Sequence, residues 1–311
     1  MTEYIIGVDG GGSKTDGLCA DMSGHVLTRA TTGPTSLTAT SLGLASMNLV
    51  ETFRQLTAGL TGELYFPKVV IGIAGLDTPE EKQRAEDVFR DVLQGYHIGT
   101  LTIVNDIHLV LAAGSKQGNV VALISGTGSQ CYGKSADGRS ARTGGMDFLL
   151  TDQGSGYEIG RRVLRSAVCS FDGRSIPSSL EQMVLKHFEV EDFNDLKAKV
   201  YFPILNKAQV AELARVCVDA HQQGDKVATQ ILEDMATDLI NMAEAVIRRL
   251  EFTNEAAEFI CSGGIAKLPF IFERVRSALS PKYPKLTIKI MEEEPVFGAI
   301  TLALEELKGA A

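Results

Sequence analysis

Short apolar runs alternate with glycine-rich or polar turns along this chain, and one arrangement of them occurs twice. Tyr4 to Val8 is an apolar run closed by Asp9, followed by Gly10-Gly11-Gly12-Ser13 and a second candidate strand, Gly17 to Ala20. The polar turn Asp21-Met22-Ser23-Gly24 then leads to a third, Val26 to Ala30. Val120 to Ile124, Ser125-Gly126-Thr127-Gly128-Ser129, Gln130 to Gly133 and the hairpin signal Ala136-Asp137-Gly138 repeat that order about 117 residues later. Further on, Val69 to Gly75 matches Phe259 to Gly264, and Leu101 to Asp106 matches Leu286 to Met291. The last pair run into helical stretches, Ile107 to Ala113 and Val296 to Glu306.

Matched elements in one order at one long offset predict a duplicated α/β domain rather than a short-period solenoid. Two like lobes around a cleft are expected: residues 1–116, and residues 117–294 with a helical insert. A C-terminal helix over 295–311, started by Pro295, is expected to return to the first lobe. Within the insert, Pro177 to Glu189, Leu205 to Gln222 and Asp225 to Leu250 read as helices. The last carries Val227, Ile231, Met235, Leu239, Met242 and Val246 as one apolar stripe.

Composition narrows the function classes. Hydrophobic residues make up 44% of the 311 and charged residues 22%, which excludes a disordered chain. A formal net charge of -9 and the lack of any long basic run argue against a nucleic-acid partner. The acidic, short start Met1-Thr2-Glu3-Tyr4 is no signal peptide, and the longest apolar runs fall far below the ~20 residues that span a bilayer. A soluble protein with no membrane partner is expected. Cys19, Cys131, Cys169, Cys217 and Cys261 are widely spaced and form no C-x-x-C pair, which fits a reducing cytoplasm.

The chemistry is carried by the two glycine turns. Glycines at strand ends expose several backbone N–H groups at one point and let the chain approach phosphate closely. Gly10-Gly11-Gly12-Ser13 and Gly126-Thr127-Gly128-Ser129 are therefore candidates to grip a polyphosphate, with Lys14 and the hydroxyls of Ser13, Thr127 and Ser129 as further donors. Asp9 and Asp106 each end an apolar strand, where ligands of open α/β sheets bind. Asp9 suits a magnesium ion held mainly through water. Asp106 suits a general base for a substrate hydroxyl, against the alternative that it caps the following helix. A decoy lies in the second turn: Gly128 to Ser135 matches the Walker A pattern, but Ala136-Asp137-Gly138-Arg139 after Lys134 signals a hairpin where that motif needs a helix.

The segments Ile6 to Thr15, Ile73 to Asp77, Asn105-Asp106, Ser125 to Ser129, Gly144-Gly145, Asp152 to Tyr157, Gln223-Gly224-Asp225 and Ser262-Gly263-Gly264 span nearly the whole chain. Together they resemble the N-acetylglucosamine kinase group of the BadF/BadG/BcrA/BcrD-type ATPases, within the actin, sugar kinase and Hsp70 superfamily. The resemblance implies a duplicated ribonuclease-H-like fold, ATP with Mg²⁺, closure over a sugar substrate, and often a homodimer. It implies Ser13 and Thr127 on the ATP phosphates, Gly263 and Gly264 on the adenosine, Asp106 as base, and Gly145 and Asp152 on the sugar. Ser36, Ser129, Gln130, Met146 and Asp147 fall beside these on the sugar side.

The departures cluster there. The family's Gly-Gly-Trp-Gly is Gly144-Gly145-Met146-Asp147, its Asp-Glu-Gly-Ser has Gln153 for the Glu, and Ser36 stands where Asn is frequent. The extra carboxylate of Asp147 suggests a free amine, as in glucosamine. The expected function is transfer of the γ-phosphoryl group of ATP to a hydroxyl, at C6, of an amino sugar. Two alternatives belong to the same superfamily. An activating ATPase of a radical dehydratase would need cysteines for an iron–sulfur cluster, and a sugar-responsive repressor would need a helix-turn-helix ahead of the first strand.

Overall fold

The computed structural model describes residues 1–37 and 39–309. They form two compact units, one of Met1–Gln117 with the chain from Met291 onward, the other of Gly118–Ile290. The first unit contains β1 (Thr2–Gly10), β2 (Thr15–Ala20), β3 (Val26–Thr32), α1 (Leu42–Thr57), β4 (Leu64–Ile73), α2 (Pro79–Val92), β5 (Ile98–Asn105) and α3 (Ile107–Gly114). The second contains β6 (Val120–Ser125), β7 (Ser129–Lys134), β8 (Ser140–Gly144), α4 (Asp147–Leu150), α5 (Gly156–Phe171), α6 (Leu180–Phe188), α7 (Phe193–Tyr201) and α8 (Lys207–Glu212). It continues with α9 (Ala214–Gln222), α10 (Lys226–Arg249), β9 (Ala257–Ser262), α11 (Pro269–Leu279) and β10 (Leu286–Ile290). The last helix, α12 (Pro295–Gly309), belongs to the first unit.

Both sheets have the same plan. Their orders are β3-β2-β1-β4-β5 and β10-β9-β6-β7-β8, so β6 to β10 stand for β1 to β5. In each, the first three strands are an antiparallel meander and the last two run parallel to the first. The duplication read from the apolar runs is thus the architecture of the chain.

Alternation along β1 decides what covers each face of the first sheet. Ile6 and Val8 pack with Ala45, Leu49 and Phe53 of α1, whereas Ile5 packs with Val296, Ala299 and Ile300 of α12. A Cβ on Gly7 would lie 2.8 Å from the Ala299 Cβ, so a glycine facing an alanine lets α12 seat directly on the strand. That contact is why the helix after β10 belongs with the N-terminal sheet. The expected helix over 295–311 is observed as Pro295–Gly309, its last two positions lying outside the described residues.

In the second unit, α10 lies against the sheet. A Cβ on Gly133 would come within 2.5 Å of Leu250 Cδ1 and 2.8 Å of Val246 Cγ1. Ile231, Met235, Leu239 and Val246 of the predicted stripe are buried, while Val227 and Met242 sit at its margin. The stretch read as one helix over 205–222 is two, α8 and α9, meeting at Leu213. Asp225 both starts α10 and ties the insert together. Its Oδ1 accepts from the Val227 and Ala228 N–H groups, each at 2.9 Å, and its Oδ2 accepts from Ser178 Oγ at 2.9 Å and Ser179 N–H at 2.7 Å. Burial pushes the Asp225 carboxyl up, but these donors outweigh it and hold the group below its usual range. No helix among the described residues is long and apolar enough to cross a membrane.

Loss of an N-cap costs about 1 kcal/mol and each orphaned partner adds to it. Asp225→Ala is expected to lower unfolding stability by roughly 2 kcal/mol or more in urea denaturation at neutral pH. The difference should shrink as the medium becomes acid enough to protonate the wild-type carboxylate, because a depressed folded pKa stabilises only above it.

Candidate active site

Three parallel strands of the first unit end side by side: Gly10 lies opposite Ile73, and Ile73 opposite Asn105. Asp9, Gly10 and Asp106 therefore share the carboxyl edge of one sheet, where open α/β folds take ligands. The β1–β2 turn closes with the Gly11 N–H donating to the Lys14 carbonyl at 2.9 Å. The Thr35 and Ser36 N–H groups donate to the Gly11 carbonyl at 3.3 and 3.2 Å, which brings Ser36 against this turn. Thr35, absent from the sequence-based set, explains Gly10: a Cβ there would lie 2.1 Å from Thr35 Oγ1, itself 2.9 Å from Thr15 Oγ1.

The charges at this edge are unbalanced. Asp9 faces Asp16 across the β1–β2 ladder, and Asp16 is held by Lys14 Nζ at 2.6 Å and by Thr31 Oγ1 at 2.6 Å. Burial, then the charges of Asp106 and Asp16, push the Asp9 carboxyl up to about 7, with Lys14 only partly offsetting them. A carboxylate so placed gains from a cation beside it. Among the described residues no group of three or more His, Cys, Asp or Glu side chains forms a protein-only metal cage. The residues fit a magnesium ion that keeps most of its waters.

Asp106 occupies the N-cap of α3, yet its side chain does not cap the helix. Asn105 does so instead, its Oδ1 accepting the Ile107 N–H at 3.1 Å while its Nδ2 donates to the Leu76 carbonyl at 3.1 Å. The neighbouring amide thus performs the helix-capping role.

In the second unit the β6–β7 turn is one residue shorter, since Ser125 already pairs with Ser129. Its carbonyls are taken from behind: the Gly156 N–H donates to Gly126 O at 2.8 Å and the Tyr157 N–H to Thr127 O at 3.2 Å. The start of α5 is stitched to the turn by these bonds. Gly263, at φ 89°, presses on the same point; a Cβ there would meet the Ser125 carbonyl oxygen at 2.3 Å. The adenosine candidates Gly263 and Gly264 thus adjoin the phosphate candidates Gly126, Thr127 and Gly128. Four residues beyond Gly264 the chain enters the wall of a cavity of about 630 Å³ lined by Val218, His221, Leu268, Pro269, Phe270 and Arg274.

The sugar-side candidates of this unit also converge. The Ser129 N–H donates to Asp152 Oδ1 at 2.9 Å, Ser129 Oγ donates to the Gln153 carbonyl at 2.7 Å, and the Gly145 N–H donates to the Ser129 carbonyl at 3.2 Å. Gln130, buried beside Ser129 on β7, pairs with Gly144. Asp147, the first residue of α4, and Asp152, just beyond its end, adopt left-handed backbones with φ 62° and 70°. That conformation costs roughly 1–2 kcal/mol for a residue with a Cβ. Met146 is exposed. One participant was not legible: Lys207, whose Nζ lies 2.5 Å from Asp147 Oδ1 and 2.6 Å from Asp152 Oδ2. The contact with Asp152 is ionic, its geometry falling outside that of a hydrogen bond. Burial pulls the Lys207 ammonium down, but the Asp152 charge and the close contacts with both carboxylates outweigh it and raise the pKa.

Lys134 ends β7 on the surface, and β8 follows after a hairpin with Gly138 at φ 91°. No helix begins at Lys134, so the Walker A match is a coincidence of letters, and Gly133 is explained by α10 packing over it.

Paired sheets of one order, with glycine turns at equivalent strand ends, define the duplicated ribonuclease-H-like fold of actin-like ATPases and sugar kinases. The chain belongs to the BadF/BadG/BcrA/BcrD ATPase family, whose model matches residues 6–303. It is 33% identical over 306 residues to an N-acetylmuramic acid/N-acetylglucosamine kinase of Clostridium acetobutylicum, covering 98% of this chain and 99% of that one. To an N-acetyl-D-glucosamine kinase of Dictyostelium discoideum it is 29% identical over 319 residues, covering 98% and 99%. Among solved structures, one from Chromobacterium violaceum, provisionally named an N-acetylglucosamine kinase, superposes with a TM-score of 0.79 at 22% identity. It covers 97% of this chain and 99% of that one, and shows the shared fold.

Two outcomes test this geometry. The folded pKa of Asp9 lies above its ordinary value of 3.8, so stability declines as pH rises from there to about 7. Asp9→Asn is therefore expected to raise the thermal midpoint at about pH 8 and to give no gain near the ordinary carboxylate range; a pH-independent effect contradicts the acidic edge. Lys134→Ala is expected to keep near-normal ATP use, because exposed substitutions change stability by less than about 0.5 kcal/mol. Gly128→Val, which must displace Asp152 and Lys207, should lose nucleotide binding in steady-state kinetics.

Proposed function

We propose that this protein is an ATP-dependent amino-sugar kinase that passes the γ-phosphoryl group to a sugar hydroxyl, at C6. The observation that carries the reading is Asp106: a strand-end carboxylate, excused from capping by Asn105, on the same sheet edge as a glycine turn. The names of the two relatives support N-acetylated amino sugars as the substrate class.

Asp106 takes the hydroxyl proton as the oxygen attacks phosphorus. The turns Gly10 to Lys14 and Gly126 to Gly128 hold phosphate through backbone N–H groups, with Ser13 and Thr127 as hydroxyl donors. When bound, magnesium neutralises charge on the phosphate oxygens, and Asp9 would hold it through water. The purine is assigned to the cavity beyond Gly263 and Gly264, where Leu268, Pro269 and Phe270 give apolar surface and Glu273 and Arg274 give polar groups. Gly145, Asp152, Ser129, Gln130 and Ser36 supply the polar groups for the sugar, with Met146 beside them. Asp147 no longer argues for a free amine, because Lys207 already offsets its charge. A homodimer in the cytoplasm is consistent with this class of enzyme.

The activating-ATPase alternative is disfavoured by burial. Cys131 and Cys261, the cysteines nearest the glycine turns, flank Leu123 on β7 and β9 and are fully buried. Neither offers a thiolate to a cluster shared between subunits.

The test is ADP release with N-acetylglucosamine, N-acetylmuramic acid, glucosamine and glucose against a no-sugar control. Strong stimulation by an amino sugar is expected; equal hydrolysis with and without sugar overturns the kinase reading. Asp106→Asn should lower kcat by roughly 10² to 10⁴ with sugar binding nearly intact, the range for loss of a general base. A kcat above half the wild-type value removes Asp106 from that role.

A further inference from the structure

A lysine placed by the helical insert joins two parts of the site that the chain keeps far apart. Lys207 is the first residue of α8, a short helix started by a capping box between Asn206 and Gln209. The helix is seated by two glycines one turn apart on α5. A Cβ on Gly160 would lie 1.8 Å from the Val210 carbonyl oxygen, and one on Gly156 would meet Ala211 at 3.5 Å. Since α5 is itself bonded to the Gly126 and Thr127 carbonyls, the position of Lys207 is fixed relative to the β6–β7 turn. Only 11% of its side chain is exposed. Its Nζ would lie 3.1 Å from a Cβ on Gly128, and it contacts the carboxylates of Asp147 and Asp152.

Both aspartates are in left-handed conformations that a side chain adopts only when its surroundings over-determine it. For Asp152 those surroundings are the Ser129 N–H on one oxygen and the Lys207 ammonium on the other. Removing the ammonium would leave two carboxylates facing each other with one backbone donor apiece, the Phe148 N–H on Asp147 and the Ser129 N–H on Asp152, and a buried carboxylate without its partner moves toward water.

Resting on the amino-sugar reading above, we propose that Lys207 is a positioning residue: it holds Asp152 on Ser129 and Asp147 against α8, and so sets the geometry in which the sugar is received. Its effect falls on sugar affinity. Lys207 acts through the aspartates and takes no part in transfer, so the nucleotide side of the reaction is spared.

The experiment measures N-acetylglucosamine and N-acetylmuramic acid binding by calorimetry without ATP, and kcat and both KM values, for wild type, Lys207→Met, Lys207→Arg and the double variant Lys207→Met/Asp147→Asn. Lys207→Met is expected to weaken sugar binding by about 10- to 100-fold, the effect of displacing a binding group by about an ångström. The ATP KM should stay within about two-fold, and Lys207→Arg should recover most of the loss, because a guanidinium still pairs with carboxylates.

The double variant keeps the net charge of the cluster and so remains informative if the single one does not fold, as judged by circular dichroism. Its sugar binding should stay weak, because Asp152 still lacks its ammonium. Wild-type sugar affinity in a folded Lys207→Met protein or in the double variant overturns the proposal. So does a loss that falls on ATP KM and kcat, which would make Lys207 a phosphate ligand. Wild-type protein that binds neither of these sugars nor, in the same calorimetry, glucosamine instead sinks the amino-sugar reading itself, on which the proposal stands.

Discussion

Close approach of other parts of the chain to glycine backbone at the carboxyl ends of the strands is the constraint on which the candidate site depends. At Gly10 and Gly263 a single methyl group would collide with Thr35 Oγ1 and the Ser125 carbonyl, and at Gly128 it would press on the Asp152–Lys207 pair. Each contact involves an atom that is itself held: Thr35 by Thr15, Asp152 by the Ser129 N–H, Ser125 by the Ile265 and Ala266 N–H groups. The turns are thin because what lies behind them is fixed. A thin, fixed turn is also what polyphosphate needs, since its oxygens reach N–H groups only where no side chain intervenes.

Duplication supplied two such turns, and the two have been charged differently. In the first unit, Asp9 directly precedes Gly10 and sits among Asp16 and Asp106, an edge that repels an anion until a cation joins it. In the second, the residue before Gly126 is Ser125, whose hydroxyl donates to the Gly154 carbonyl at 2.6 Å and carries no charge. The nearest carboxylates there already have an ammonium. One sheet plan thus yields an edge whose carboxylates crowd one another and a second edge whose two carboxylates share an ammonium.

Much of this was legible in the chain because it rests on local signals. Apolar runs of strand length, glycines at their ends and the hairpin after Lys134 give the ten-strand plan, and Asp9 and Asp106 follow from their place at strand ends. Local signals also mislead: the apolar stretch before Gln222 reads as one helix, whereas a break at Leu213 gives two. What stayed hidden involves distance along the chain. Thr35 matters only because the Gly33 to Ser36 loop folds over Gly11, and Lys207 lies 60 positions from Asp147 in an insert whose pattern reports its core face alone. The helices α1, α2 and α5 lie outside the elements the apolar runs predict, although α5 buries Ile159, Val163 and Ala167 along one face; its start at Gly156 reads as a loop.

The same distance argument bears on how sugar choice can change within such a fold. The phosphate turns are bound to the sheet by main-chain bonds and cannot vary without loss of the strands that end in them. Asp147 and Asp152 instead hang on a short helix, a strained backbone and one lysine delivered from the insert. Leu180, Val184 and Leu196 of the insert lie in the same buried cluster as Val121, Leu123 and Cys131 of the strands, so the insert is packed on the sheet while its α8 reaches the two aspartates through a side chain alone. Departures from the family pattern at Met146, Asp147 and Gln153 fall on this adjustable side. On the proposed reading, nucleotide contacts held in the sheets and sugar contacts steadied by an insert would let the substrate change while the transfer step stays the same.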